Sequence, residues 1–275
     1  MNIESTFGTA TPVIGMVHLG PLPGAPKAAA DGAAAMQSVL EGAVADARAL
    51  ERGGVDGVLV ENFGDAPFHP DDVPKHTVAA TTRAATAVAD ATTLPIGINV
   101  LRNDAEAAVS VAAAVDAAFV RVNVHTGARV TDQGIVEGRA HETVRLRERL
   151  GVNVGIFADT DVKHSAPLTP EGYSAESFAD ATERGLADAV VASGSGTGAA
   201  IDRAALEAVV DERERHGLET PVFVGSGVRP ETIGDLLALA DGVIVGTALK
   251  AAGETTAPVD EERVATLVSR ADDCR

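Results

Sequence analysis

PVFVGSGVRPETIGDLLALADGVIVGTALK, residues 221–250, decides the fold. It reads as strand, Gly-rich turn, helix, strand and second Gly-rich turn. The apolar runs Val222–Val224 and Val243–Val245 carry no polar alternation, as strands buried on both faces should not. Such a stretch fits the seventh and eighth strands of a (β/α)8 barrel of the TIM type. Gly225, Ser226 and Gly227 after one strand, and Gly246 and Thr247 after the next, then sit where these barrels hold phosphate. Glycine lets bare backbone N–H groups approach an anion, and a following helix N-terminus adds partial positive charge. Such turns also occur for steric reasons alone.

Working outward, strand and helix alternate eight times. Strands are expected at Val13–Val17, Gly57–Val60, Pro95–Val100, Ala118–Asn123, Val152–Phe157 and Asp188–Ala192, before the two already named. Helices are expected near 33–52, 75–91, 105–115, 175–184, 202–216 and 260–269, with another ending near Leu150. The spacing, roughly 25 to 35 residues per unit, is that of right-handed βαβ crossovers. A doubly wound sheet would want Gly-x-Gly-x-x-Gly after its first strand, where this chain has HLGPLPG at 18–24. The expectation is one barrel domain spanning 1–275, with 1–11 as an N-terminal extension.

Composition limits the partners. The chain has 275 residues, 45% hydrophobic, with net charge −18 from 40 acidic residues against 18 Arg and 4 Lys. That balance suits a protein soluble in high salt, a halophilic expectation. It argues against nucleic acid and anionic lipid, because no basic stripe exists to displace counterions. The single cysteine, Cys274, permits no intrachain disulfide, and no apolar run approaches the roughly 20 residues of a membrane span. A cytoplasmic protein without membrane insertion is expected, and a homo-oligomer is compatible with the sequence.

Several motifs resemble one family: GMVHLGPLPGAP at 15–26, GVLVENFGDAPF at 57–68, GINVLRNDA at 97–105, FVRVNVHTGARVTDQGIVEGRA at 119–140, DTDVKHSAPL at 159–168, and the opening stretch itself. They are similar to the BtpA/SgcQ family over about residues 12–270. The resemblance implies a TIM-type barrel. It also implies an association with photosystem I accumulation for some members and with sugar metabolism for others.

Strand C-termini and the loops after them form the active face of such barrels. Asp159, leaving an apolar strand, is either a desolvated general base or a cap for the next loop. Glu61 is either a second acid–base group or half of an ion pair. His18, His125 and His164 are each an acid, a base, a metal ligand or a structural hydrogen-bonder. Asn99 and Asn123 suit hydroxyl recognition or strand-end capping. Arg121, on the same strand face as Asn123, must pair with an acid such as Glu61 or Asp159 if it points inward. Ser193 and Gly194 open SGSGTG, a third small-residue turn. No cofactor is expected; a divalent metal stays open as an alternative, since His18, Glu61, His125 and Asp159 are fitting ligand types, although scattered and without short ligand spacing. Lys27, Lys75, Lys163 and Lys250 all fall in or beside loops after strands, which suggests a cationic mouth, with Lys163 the only candidate for a Schiff base and Lys250 a phosphate ligand.

The favoured expectation is an enzyme acting on a small phosphorylated metabolite, a sugar or polyol phosphate, by isomerase, epimerase or aldolase-type chemistry. The alternative is a non-catalytic assembly factor, which should show an exposed apolar patch outside the barrel.

Overall fold

A computed structural model describes residues 1–160, 165–168, 177–194 and 201–275. Eight parallel strands close on themselves: β1 (Val13–His18), β2 (Gly57–Glu61), β3 (Ile96–Asn99), β4 (Phe119–Val122), β7 (Gly155–Asp159), β9 (Ala189–Ala192), β10 (Val222–Val224) and β11 (Gly242–Val245), with β1 pairing β11. The long stretch between β4 and the next helix forms a hairpin, β5 (Ala128–Thr131) and β6 (Gly134–Glu137), joined by β8 (Ser165–Pro167). Val130 and Thr131 before the Asp132–Gln133 turn, and Ile135 and Val136 after it, are β-branched residues that suit paired strands. The fifth barrel strand begins and ends later than expected, so Asp159 is its last residue.

Helices cover the outside: α2 (Gly32–Gly53), α3 (Lys75–Ala89), α4 (Ala105–Ala114), α5 (Ala140–Leu150), α7 (Arg203–Arg215), α8 (Ile233–Leu237) and α9 (Glu261–Asp272). Their ends follow capping rules. Asp31 accepts from the Ala33 and Ala34 amides at the start of α2, and Gly54 closes it in the left-handed region at φ 93°. Asp104 and Asp260 cap α4 and α9 in the same way. Where one helix was expected over 175–184, the described part is a short α6 (Ser177–Ala179) running into a wider π turn at Asp180–Arg184.

The barrel interior is an aromatic floor. Phe119 and Phe157 stack at 4.6 Å between ring centroids, and Phe157 and Phe223 lie at 4.9 Å. Glycines make the room: a Cβ on Gly97 would lie 2.2 Å from Phe119 Cζ, and one on Gly242 2.4 Å from Phe223 Cε1. Large rings thus sit opposite missing side chains, the layered filling this fold requires. The N-terminal extension takes part. Its helix α1 (Ile3–Phe7) buries Ile3 and Phe7, and Phe7 meets Phe119 edge-on at 5.8 Å, closing the barrel from below.

Candidate functional site

Side chains on a strand alternate, so the residue two places beyond each floor residue also points inward. Applied to every barrel strand, this takes Met16 to His18, Leu59 to Glu61, Gly97 to Asn99, Phe119 to Arg121 and Asn123, Phe157 to Asp159, Val191 to Ser193, Phe223 to Gly225 and Ile244 to Gly246. A polar layer therefore lies directly on the aromatic floor, at the C-terminal ends of the strands. Above it opens a cleft of about 1300 Å³.

Arg121 is the centre of that layer. Its Nε and Nη2 donate to the two Asp159 oxygens at 2.8 and 3.0 Å, and Nη2 lies 3.4 Å from Ser193 Oγ. Asn123 Nδ2 donates to Asp159 Oδ2 at 2.9 Å. Asn99 Nδ2 donates to the Arg121 carbonyl at 2.7 Å and to Asn123 Oδ1 at 3.2 Å. Burial opposes the charge on Arg121, yet Asp159 and behind it Glu61 hold its pKa above the ordinary value. The inward-facing arginine thus finds its acid partner in Asp159. Gly225 has a second reason to be glycine: a Cβ there would come 2.6 Å from Ser193 Oγ and 3.2 Å from Arg121 Nη2.

The sequence leaves Asp159 as a desolvated base or a loop cap; in the structure it is the counterion of Arg121. Both its oxygens already accept hydrogen bonds, so it orients Arg121 and Asn123 and is poorly placed to take a proton from a ligand. Two further titratable groups, His18 and Glu61, line the same cleft. His18 Nδ1 lies 3.2 Å from the Thr255 carbonyl, which can only accept, so Nδ1 carries the proton. Its Nε2 then faces Glu61 Oε1 at 3.8 Å, and the ring stacks on Phe63 at 4.6 Å. Gly246 gives the ring its space, since a Cβ there would sit 3.1 Å from His18 Cε1.

His18, Glu61, Asn123, Asp159, Gly225, Ser226, Gly227, Gly246 and Thr247 all line the cleft. Asn99, Ser193 and Gly194 lie beneath or behind it; the Gly194 amide donates to Ser226 Oγ at 2.6 Å, linking two of the small-residue turns. Lys163 and His164 fall outside the described residues, as does the SGSGTG turn beyond Gly194.

Two expectations are corrected. Lys250 is 1% exposed and is not among the cleft residues; its ammonium donates to Asp46 on α2. Burial lowers its pKa while Asp46 opposes the shift, and the amine is a structural tie, not a phosphate ligand. His125 is also 1% exposed, with Nε2 2.8 Å from the Gly185 carbonyl. Burial lowers its pKa, so it is a neutral packing residue away from the mouth. With His125 apart and Asp159 bound to Arg121, the four-residue metal set does not assemble, and no group of three or more potential metal ligands occurs among the described residues.

Among the described residues the mouth is not a cationic island either. Lys27, Arg102, Arg121, Arg229 and Arg263 line the cleft against Glu61, Asp132, Asp159, Glu231, Asp260 and Glu262. It is close to charge-balanced on a strongly acidic chain. Among these, Arg102, Arg229 and Arg263 were passed over in the sequence, although Arg102 and Arg229 stand only a few residues beyond strand ends.

A closed parallel eight-stranded barrel with its polar layer at the strand C-termini defines a TIM-type (β/α)8 protein. Among solved structures the chain is similar to the phosphoribosyl anthranilate isomerase of Thermus thermophilus, at TM-score 0.56 and 15% identity over 96% of this chain and 100% of that one. It is likewise similar to the tryptophan synthase of Mycobacterium tuberculosis, at 0.58 and 20% over 96% and 92%. Those likenesses show the fold. The chain belongs to the BtpA family, whose model matches residues 9–273. It is 44% identical to the photosystem I biogenesis protein BtpA of a Synechocystis species, over 98% of this chain and 90% of that protein. It is 46% identical to an uncharacterized protein of Thermococcus kodakarensis, over 96% of each.

Proposed function

We propose that this protein is an enzyme acting on a small phosphorylated metabolite, a sugar or polyol phosphate, by acid–base chemistry of the isomerase, epimerase or aldolase type. The observation that carries the reading is the His18–Glu61 pair facing the cleft beside the buried Arg121–Asp159–Asn123 set. Proton transfer needs two titratable groups within reach of one bound molecule, and fixed donors that hold its oxygens. Glu61 and His18 fill the first role. Arg121 and Asn123, locked by Asp159, fill the second. The turns at Gly225–Gly227 and Gly246–Thr247 hold the phosphate through backbone N–H groups, on the adjacent strands β10 and β11.

The test begins with a thermal-shift screen of phosphorylated metabolites. A ligand at 100 times its dissociation constant adds about 2.7 kcal/mol to stability. Once a substrate is found, Glu61→Gln should lower turnover by about 10²-fold or more while binding persists. A Glu61→Gln enzyme with full turnover would overturn the assignment.

A second reading has its own observation. Val130 and Ile135 are directly opposed across the hairpin, at 43% and 57% exposure, and Leu168 follows on β8 at 53%. Register places them on one face of the small sheet, an apolar patch outside the barrel. It suits a factor that assists assembly of a complex, as the name of the Synechocystis relative states for that protein. Ligand binding in the mouth with no effect of Ile135→Ser on any partner interaction would favour the enzyme alone.

A further inference from the structure

Arg102 is 8% exposed and lines the cleft, yet nothing in the reading above uses it. It follows β3. Around the closed order of eight strands, β3 and β10 are four places apart in either direction, so Arg102 rises from the wall opposite the Gly225–Gly227 turn. Eight strands about 4.8 Å apart and tilted by about 36° close a ring roughly 15 Å across. An arginine reaching in from one side leaves room for a ligand of a few carbons.

The side chain is held in place by several neighbours, and its counterion is long and exposed. Its Nε donates to Gln133 Oε1 at 3.0 Å, its backbone N–H to the His69 carbonyl at 2.9 Å, and its guanidinium carbon lies 5.4 Å from the centre of the Phe68 ring. Among the described residues its one carboxylate partner is Asp132, 3.4 Å from Nη2 and 61% exposed at the hairpin tip. That distance exceeds the 2.7–2.9 Å or so of a strong charge-assisted bond. Gln133 Nε2 in turn donates to Asp132 Oδ2 at 2.7 Å, so one hairpin residue steadies both partners. No hydrogen bond is made by Arg102 Nη1 among the described residues. A planar fork fixed by its neighbours, with a long and exposed counterion that a ligand can replace, is suited to a carboxylate or phosphate.

We propose that Arg102 is a second anion anchor, and that the mouth takes a ligand with two anionic groups, a phosphate at the β10–β11 turns and a carboxylate or second phosphate at Arg102. This rests on the phosphate reading of those turns for one end only. The bound carboxylate would displace Asp132 from Arg102, with Gln133 and Phe68 keeping the guanidinium in position.

The experiment measures calorimetric binding to the full chain of three probe series: methyl-, ethyl- and propylphosphonate; phosphonoacetate, phosphonopropionate and phosphonobutyrate; and succinate, glutarate and adipate. At least one phosphonocarboxylate should bind about tenfold or more tighter than the alkylphosphonate of matching length. Arg102→Met should remove that gain and leave alkylphosphonate binding unchanged. Asp132→Asn, at an exposed tip where folding is not at stake, should increase the gain. Where phosphonates bind, a gain absent from the parent, retained in Arg102→Met, or unmoved by Asp132→Asn overturns the anchor. Dicarboxylates that bind through Arg102 while no phosphonate binds would overturn the phosphate reading and leave the anchor standing. Binding of none of the probes would overturn the anchor.

Discussion

Asp159→Asn tests whether the polar layer is built as described. The parent carboxylate receives the Arg121 fork on both oxygens and Asn123 on one. Asparagine has nearly the same shape but presents one oxygen and one NH₂ group. Whichever way the amide turns, its NH₂ meets an Arg121 donor, with Asn123 as a second at the Oδ2 position, and a buried guanidinium loses its counterion. Removing one partner of a buried pair costs about 3–5 kcal/mol. At roughly 2–4 °C per kcal/mol for a domain of this size, the melting temperature should fall by about 6–20 °C. Urea unfolding followed by circular dichroism, in a cycle with Arg121→Met, isolates the pair. The double variant should be more stable than the sum of single losses predicts, because Arg121→Met removes the charge that Asp159→Asn strands. Single variants melting within about 2 °C of the parent, or losses adding to within ~0.5 kcal/mol, would refute the central role of the pair. The cycle also bears on mechanism: a large stability loss in Asp159→Asn means that any accompanying loss of activity reports geometry, and not the removal of a base.

Other outcomes follow from the same structure. Gly227 has φ 69°, a conformation that a β-branched residue adopts only with strain, so Gly227→Val should abolish binding of inorganic phosphate while the barrel still folds; undiminished phosphate binding by calorimetry would take the anion site away from this turn. For Asp188, burial works against ionisation, but the Ile156 amide, the N-terminal ammonium and Arg147 outweigh it and lower the pKa. The unfolded chain then binds more protons than the folded one between the lowered value and about 3.9, so this contribution is complete above about pH 4 and is lost as pH falls through the folded value. Asp188→Asn should flatten the acid limb of the stability profile, and an unchanged limb would count against the shift. Finally, with a net charge of −18 the melting temperature should rise between low salt and molar KCl, and a flat response would end the halophilic expectation.

The mouth was largely legible because the strands obey a period of two. Once Phe119, Phe157 and Phe223 are taken as the floor, Arg121, Asp159 and Gly225 follow two residues on, and a charged residue on an inward face demanded the acid that it has. The hairpin was less legible, since ARVTDQGIVE alternates without a strong two-residue turn signal, and with it went Asp132, Gln133 and the support they lend Arg102. His125 was misplaced for a different reason. It sits just past a strand end like its neighbours, but Gly138 and Gly185 close over it: a Cβ on either would lie 2.6–3.0 Å from atoms of that residue. Lys250 shows most clearly why reading one element at a time fails. Its position beyond the last strand suggested a ligand. The contrary signal lay 204 residues away on α2, where Asp46 adjoins the stripe Met36, Val39, Ala43, Ala47 and Leu50 that the helix buries. A carboxylate on a buried face requires a cation from elsewhere. Asp46 also accepts from the Val259 amide at 2.8 Å, so the same carboxylate fixes the loop that follows β11. Closing a barrel brings its first and last units together, and the charge that each leaves unmet is answered only there.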